Sequence, residues 1–257
     1  MQEEIKKGLE GVYVAETSIC FIDGINGKLI YRGYDINDLA KNSDFEEVTY
    51  LLWFNKLPNK NELSNFRKKL RKERSIDVSC IPIIKKGIKQ TDSMDALKTA
   101  TSYLAQTDKE LNKNDKKAII NKAIRLTAKF PTIVAYYWRL RQGKKPIKPR
   151  KDFSSGENFL YMLTGKIPSE LQAKAMGLDF LLTAEHEMNA STFATRVATS
   201  TLTDYHSAII SGICTLKGPL HGAARKYVYE MKEQIKKPEN AEKYVLNKLA
   251  KHEVIMG

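Results

Sequence analysis

Four histidines occur in the 257 residues, and two of them stand where an imidazole could do chemistry. His221 lies in Lys217-Gly218-Pro219-Leu220-His221-Gly222-Ala223-Ala224. Glycine and proline there predict a tight turn between two helical runs, placing the ring at the first turn of the following helix. The positive end of a helix favours neutral imidazole over imidazolium. A neutral ring can donate a hydrogen bond to a carbonyl without carrying charge. The competing reading is a capped interhelical turn with an incidental histidine.

His186 sits in Leu181-Leu182-Thr183-Ala184-Glu185-His186-Glu187-Met188-Asn189-Ala190-Ser191-Thr192, where polar groups concentrate at the end of an apolar helix. Such a cluster could orient a polyfunctional anion, with Asn189, Ser191 and Thr192 offering neutral hydrogen bonds. It could equally be a helix C-terminus whose dipole the histidine complements, with Asn189 or Ser191 capping the next helix. His206, beside Asp204 and Tyr205, and His252, in a lysine-rich tail, read as structural or exposed. No glycine-rich phosphate loop, HExxH, GxSxG or metal-spaced cluster is present, so no metal or bound cofactor is expected.

The elements that must position these residues are mainly α-helical, with a small β piece at the start. Val12, Val14, Ile19 and Phe21 alternate, a turn follows at Asp23-Gly24-Ile25-Asn26-Gly27, and Leu29 and Tyr31 precede Gly33. This predicts short strands joined by a glycine-bearing hairpin. Helices are expected over 45–54, 61–72, 94–104, 169–187, 192–202, 206–216, 222–236 and 239–252. Tyr50, Trp53 and Phe54 read as core. Asp92 with Asp95 predicts a capped start, as does Asn114 before the run 116–141. Pro131 is expected to split that run into two packed helices. No internal repeat or domain-separating linker is visible.

Lys and Arg number 43 against 30 Asp and Glu, a net charge of +13. The excess favours anionic partners, but the basic residues are scattered along helical faces and in the loop 143–151, without a nucleic-acid-binding module. Nucleic acid is therefore not an expected partner. Three cysteines without CxxC spacing suggest neither a disulfide framework nor a zinc site. With no apolar run at the N-terminus and none long enough to span a bilayer, a cytoplasmic, non-membrane setting is expected.

Taken together, 184–192 and 217–222 resemble the paired histidine motifs of the citrate synthase family, 2-methylcitrate synthases included. The likeness extends to Lys7-Gly8-Leu9-Glu10-Gly11-Val12, Glu16-Thr17-Ser18-Ile19, Ile22-Asp23-Gly24, Leu29-Ile30-Tyr31-Arg32-Gly33-Tyr34-Asp35-Ile36, 45–53, 94–97, 131–136 and 158–163. The resemblance implies a helical large domain, here 1–221 and incomplete, and the start of a small domain, 222–257. It implies a homodimeric acyltransferase of the tricarboxylic acid cycle that condenses oxaloacetate with acetyl-CoA, the latter a co-substrate rather than a cofactor. His221 would be the catalytic group at the thioester carbonyl and also bind substrate, and His186 would hold oxaloacetate; Asn189 is carried as a further substrate-binding residue.

A third histidine, in a Gly-His-Arg motif, would polarise the ketone, and arginines would clamp the carboxylates. The chain stops at Val254-Ile255-Met256-Gly257, where that motif is expected to begin. The expectation is therefore an N-terminal portion that is inactive by itself. Thr183, Ala223 and Arg225-Lys226 depart from the usual pattern. Two alternatives stay open: a 2-methylcitrate synthase using propionyl-CoA, and a truncated, non-catalytic relative that binds a dicarboxylate or dimerises.

Overall fold

β-Branched and aromatic residues interleaved with two turn sequences make residues 19–35 a small sheet. In the computed structural model, which describes residues 12, 15–222, 224–253 and 255, β1 (Cys20–Asp23) and β2 (Lys28–Tyr31) pair antiparallel, with Cys20 opposite Tyr31 and Ile22 opposite Leu29. The expected strand residue Val14 lies outside the described residues, as do 7–11 of the opening motif, Ala223, and positions 254, 256 and 257. β3 (Tyr34–Asp35) pairs with β2 across the two residues Arg32 and Gly33. Both are left-handed, at φ 48° and 89°, the hairpin geometry whose twist matches that of the strands. The unfavourable backbone at Arg32 is offset by its guanidinium, which donates to the Leu52 carbonyl and the Ser18 hydroxyl.

The α-helices of the described residues are α1 (Ile36–Asn42), α2 (Phe45–Phe54), α3 (Lys60–Glu73), α4 (Cys80–Lys85), α5 (Ser93–Thr107), α6 (Lys116–Arg141), α7 (Ser155–Thr164), α8 (Glu170–Leu182), α9 (Ala190–Ser200), α10 (Tyr205–Leu216), α11 (Ala224–Ile235) and α12 (Ala241–Ala250). Reciprocal caps start many of them. Asp44 with Glu47, Asn59 with Glu62, Asp92 with Asp95, Ser154 with Glu157 and Ser169 with Gln172 each satisfy two backbone N–H groups. The cap of α6 is Asp115, one residue beyond the expected Asn114; its carboxylate accepts from the N–H groups of Lys117 and Ala118.

Two expectations are corrected. The run 116–141 is one continuous helix with Pro131 inside it. Proline removes one helical hydrogen bond at a cost of roughly 3 kcal/mol or more, but burial on both sides outweighs it. Ile124, Leu126, Ala128, Ile133, Ala135, Tyr136 and Tyr137 are all buried, and beside Pro131 the Thr132 hydroxyl donates to the Arg74 carbonyl at 2.8 Å. The second correction is α8, which ends at Leu182 rather than near 187. Glu187 is left-handed at φ 55°, which a helix cannot accommodate.

By packing, the chain divides into two compact units. The first comprises residues 1–75, 127–132 and 146–187. Its core joins Cys20 and Tyr31 of the sheet to Leu39, Val48, Leu51, Leu52 and Leu181. Tyr50, Trp53 and Phe54 pack around Phe66, consistent with their reading as core. α7 and α8 meet through backbone: a Cβ on Gly156 would lie 2.6 Å from the Gly177 nitrogen. The same unit buries a charged network. Arg74 and Glu46 are each 3% exposed. Arg74 donates to the carbonyls of Arg150 and Phe153, and Glu46 accepts from the N–H and hydroxyl of Ser155.

The second unit comprises 76–126, 133–145 and 188–257, with α10 packed against α9 and α5. It contains a buried ionic cluster. Arg125 forks onto Asp108 and also reaches Glu110, and the fully buried Lys122 donates to the carbonyls of Leu111 and Lys113. His206, 1% exposed, places Nε2 3.5 Å from Asp108, while its Nδ1 is buried without a hydrogen bond, 4.0 Å from Asp204. Burial holds the His206 pKa below its ordinary 6.5, the two aspartates only partly opposing it. The ring is therefore neutral in the fold, and the unfolded chain binds the proton more readily. The stability this contributes is present above pH 6.5 and is lost as pH falls through the lower folded value. The urea midpoint is expected to drop between pH 7.5 and 5.5, and to drop less in His206→Gln. Identical pH dependence in the two proteins would refute the assignment.

Candidate functional site

The loop 183–187 that carries His186 is held by the sheet of its own unit. Ala184 packs against the core cluster, and the hydroxyl of the fully buried Tyr31 shares its one proton between the carbonyls of Leu182 (3.1 Å) and Glu185 (2.8 Å). The same oxygen accepts from the Glu185 N–H at 3.2 Å. Burial pushes the Tyr31 phenol up to about 12, so it remains a donor at neutral pH. Burial likewise raises the Glu185 carboxyl, opposed by the N–H groups of Glu187 and His186. Glu187, left-handed, turns its carboxylate back to accept from the Ile22 N–H at 2.8 Å. His186 itself is exposed in this loop.

The second unit brings Asn189, Ser191 and His221 together. Asn189 is the N-cap of α9: its amide oxygen accepts from the Thr192 N–H at 3.0 Å and from the Ser191 hydroxyl at 2.7 Å. The capping reading of this residue is therefore what the geometry displays. His221 lies in the turn 217–222, short of α11, and not in that helix's first turn as expected. The turn closes through N–H groups of His221 and Gly222 donating to the Gly218 carbonyl. Gly222 admits no side chain, since a Cβ would fall 1.9 Å from the Leu216 carbonyl oxygen.

The helix start that the ring does meet is that of α9. His221 Nε2 lies 3.2 Å from the Ser191 N–H and 2.9 Å from the Ser191 hydroxyl. The contact with the Ser191 oxygen, whose own proton goes to Asn189, would suit a proton on Nε2, whereas the backbone N–H can only donate, and its bond favours the tautomer with the proton on Nδ1. Nδ1 is then the nitrogen able to donate to a ligand. Sequence reasoning named Ser191 as a polar group but not as the partner of His221, thirty residues away. It missed Tyr31 and Glu187 as supports of the His186 loop; Tyr31 read only as a strand residue. Among the described residues, no group of three or more His, Cys, Asp and Glu could hold a metal ion, and no helix is long and apolar enough to cross a membrane.

The family model described as citrate synthase, C-terminal domain, matches residues 8–257. The chain belongs to the citrate synthase family. It is 44% identical over 252 residues to citrate synthase 2 of Bacillus subtilis, covering 98% of this chain and 67% of that one. It is 41% identical over 254 residues to a 2-methylcitrate synthase of Mycobacterium tuberculosis, covering 99% and 64%. Among solved structures, the Thermoplasma acidophilum citrate synthase in ternary complex with carboxymethyl coenzyme A and oxaloacetate superposes with a TM-score of 0.89. The identity is 29%, with 99% of this chain and 67% of that one covered. The chain spans about two thirds of the length of these relatives.

Proposed function

We propose that a protein carrying this chain condenses oxaloacetate with acetyl-CoA and hydrolyses the resulting citryl thioester. The observation that carries the reading is the His221 ring held on Ser191 at the start of α9, in a chain that belongs to the citrate synthase family. With Nε2 committed to Ser191, Nδ1–H donates to the thioester carbonyl and stabilises the enolate formed as an aspartate, the base that the family resemblance implies, takes up a methyl proton. The enolate carbon then attacks the oxaloacetate ketone, with His186 holding the dicarboxylate. Asn189 contributes to the substrate site by capping α9 and so placing Ser191. No cofactor takes part, and the reading includes a cytoplasmic homodimer with a large domain over 1–221 and a small domain beginning at 222.

None of the four histidines stands in a Gly-His-Arg sequence, so the 257 residues alone are expected to be inactive. The test compares free-thiol release from acetyl-CoA and oxaloacetate by the 257-residue polypeptide and by the product of its entire reading frame. Release above the no-enzyme rate is expected only from a product that adds the missing motif. Release by the 257 residues alone would sink the inactivity claim, and none from a product bearing the motif would sink the synthase reading. A reading frame that ends at 257 favours the non-catalytic, dicarboxylate-binding or dimerising alternative. The 2-methylcitrate relative keeps propionyl-CoA as a second substrate reading. One methylene in a pocket is worth only about 1–3 kcal/mol, and competition between the two thioesters separates them.

A further inference from the structure

We propose that the N-terminal sheet is the template that shapes the His186 loop, with Tyr31 and Glu187 as its two positioning residues. The inference rests on the reading of His186 as the oxaloacetate-holding group. Three observations within the first unit point to it. Cys20 and Tyr31 are cross-strand partners, both buried, and Ile22 lies two residues along from Cys20 on the same strand. All three reach the loop. The Tyr31 hydroxyl engages three backbone groups, the carbonyls of Leu182 and Glu185 and the N–H of Glu185, immediately before His186. The Glu187 carboxylate, immediately after it, accepts from the Ile22 N–H, while the Glu187 N–H lies against the Cys20 thiol.

His186 is thus bracketed on both sides by hydrogen bonds to adjacent strands. Without them the segment would have no helical or sheet partner for these backbone groups. Glu187 is left-handed, a conformation uncommon for a residue with a side chain, and its carboxylate bond to β1 is what over-determines it. Tyr31 is the stronger of the two. Removing its hydroxyl leaves two carbonyls and one N–H, partly buried against the sheet, without their partner. Neither residue needs to touch substrate. Their effect passes through the direction in which the loop presents the His186 ring.

The experiment uses the product of the entire reading frame and four variants: Tyr31→Phe, Glu187→Ala, Glu187→Gln and Val48→Ala. The last lies in the same core cluster but has no polar atom to offer the loop. Two quantities are read, amide hydrogen exchange of 183–189 and the kinetic constants for both substrates. Tyr31→Phe is expected to speed exchange at Glu185 and to raise KM for oxaloacetate about tenfold, the equivalent of one lost hydrogen bond. KM for acetyl-CoA and kcat should stay within about threefold. Glu187→Ala should behave alike, and Glu187→Gln, which keeps an acceptor oxygen, should restore near-native values. Val48→Ala should lower Tm and leave both quantities unchanged. Unchanged exchange and KM in Tyr31→Phe overturn the proposal, as does an equal KM rise in Val48→Ala. If the unmodified protein lacks turnover, the synthase reading fails, and the exchange arm alone decides whether Tyr31 and Glu187 shape the loop.

Discussion

A His221→Ala variant of the active protein is expected to lose about 10²- to 10³-fold in kcat, the usual effect of removing one donor aimed at a developing oxyanion. Its KM for oxaloacetate should change little, because the proposed donor acts on the thioester. The physical basis is the tautomer. The Ser191 N–H, fixed in the first turn of α9, faces Nε2 at 3.2 Å, which favours the tautomer with the proton on Nδ1. Steady-state kinetics with both substrates varied gives the answer, and a variant that keeps near-native kcat would remove His221 from the chemistry. Ser191→Ala offers an internal comparison. It keeps the N–H and removes only the hydroxyl, so it should lose much less.

Replacing Glu46 by Ala is expected to destabilise the protein by about 3–5 kcal/mol, the range for breaking a buried ion pair from one side. Glu46 and Arg74 lie 4.0 Å apart with side chains each 4% exposed. Burial lowers the Arg74 pKa to about 10, against the pull of Glu46, so the guanidinium remains charged at pH 7 and would be left facing an apolar gap. The Ser155 N–H and hydroxyl would lose their acceptor as well. Removing both charges together, as in Glu46→Ala with Arg74→Met, should recover part of the loss, since an apolar pair leaves no unpaired charge. Urea denaturation of the three proteins tests this. A Glu46→Ala change below about 1 kcal/mol, the surface-pair range, would show that the network contributes little.

Much of this architecture could be read from residue order because its causes are local. The hairpin at 20–31 follows from alternation around Asp23 and Gly27, and the capped start at Asp92 follows from residue types three apart. Two helices depart from that reading where distant groups decide. α8 stops at Leu182 because Tyr31, some 150 residues earlier, takes up the backbone groups that a further turn would have used. α6 runs through Pro131 because the residues around it are buried and Thr132 is bonded to Arg74, 58 positions away. Local propensity is worth at most a few kcal/mol at such points, and tertiary burial exceeds it.

The candidate site divides along the same line. The positions of the two histidine turns are legible in the sequence, since glycine, proline and clustered polar residues mark them, but each histidine alone also fits a structural reading, and only the resemblance of 184–192 and 217–222 together to a family's paired motifs singles them out. Which helix start meets His221 was not legible: the pattern pointed to the helix that follows it, and the fold presents α9 instead. Nor could any local pattern assign Tyr31 and Glu187 to the His186 loop, because hydrogen bonds between residues 150 or more positions apart leave no periodicity to read. By itself the sequence determined the chemistry available at each turn. Only the tertiary structure decided the partners that orient those groups, because orientation is set by hydrogen bonds and burial across the chain rather than along it.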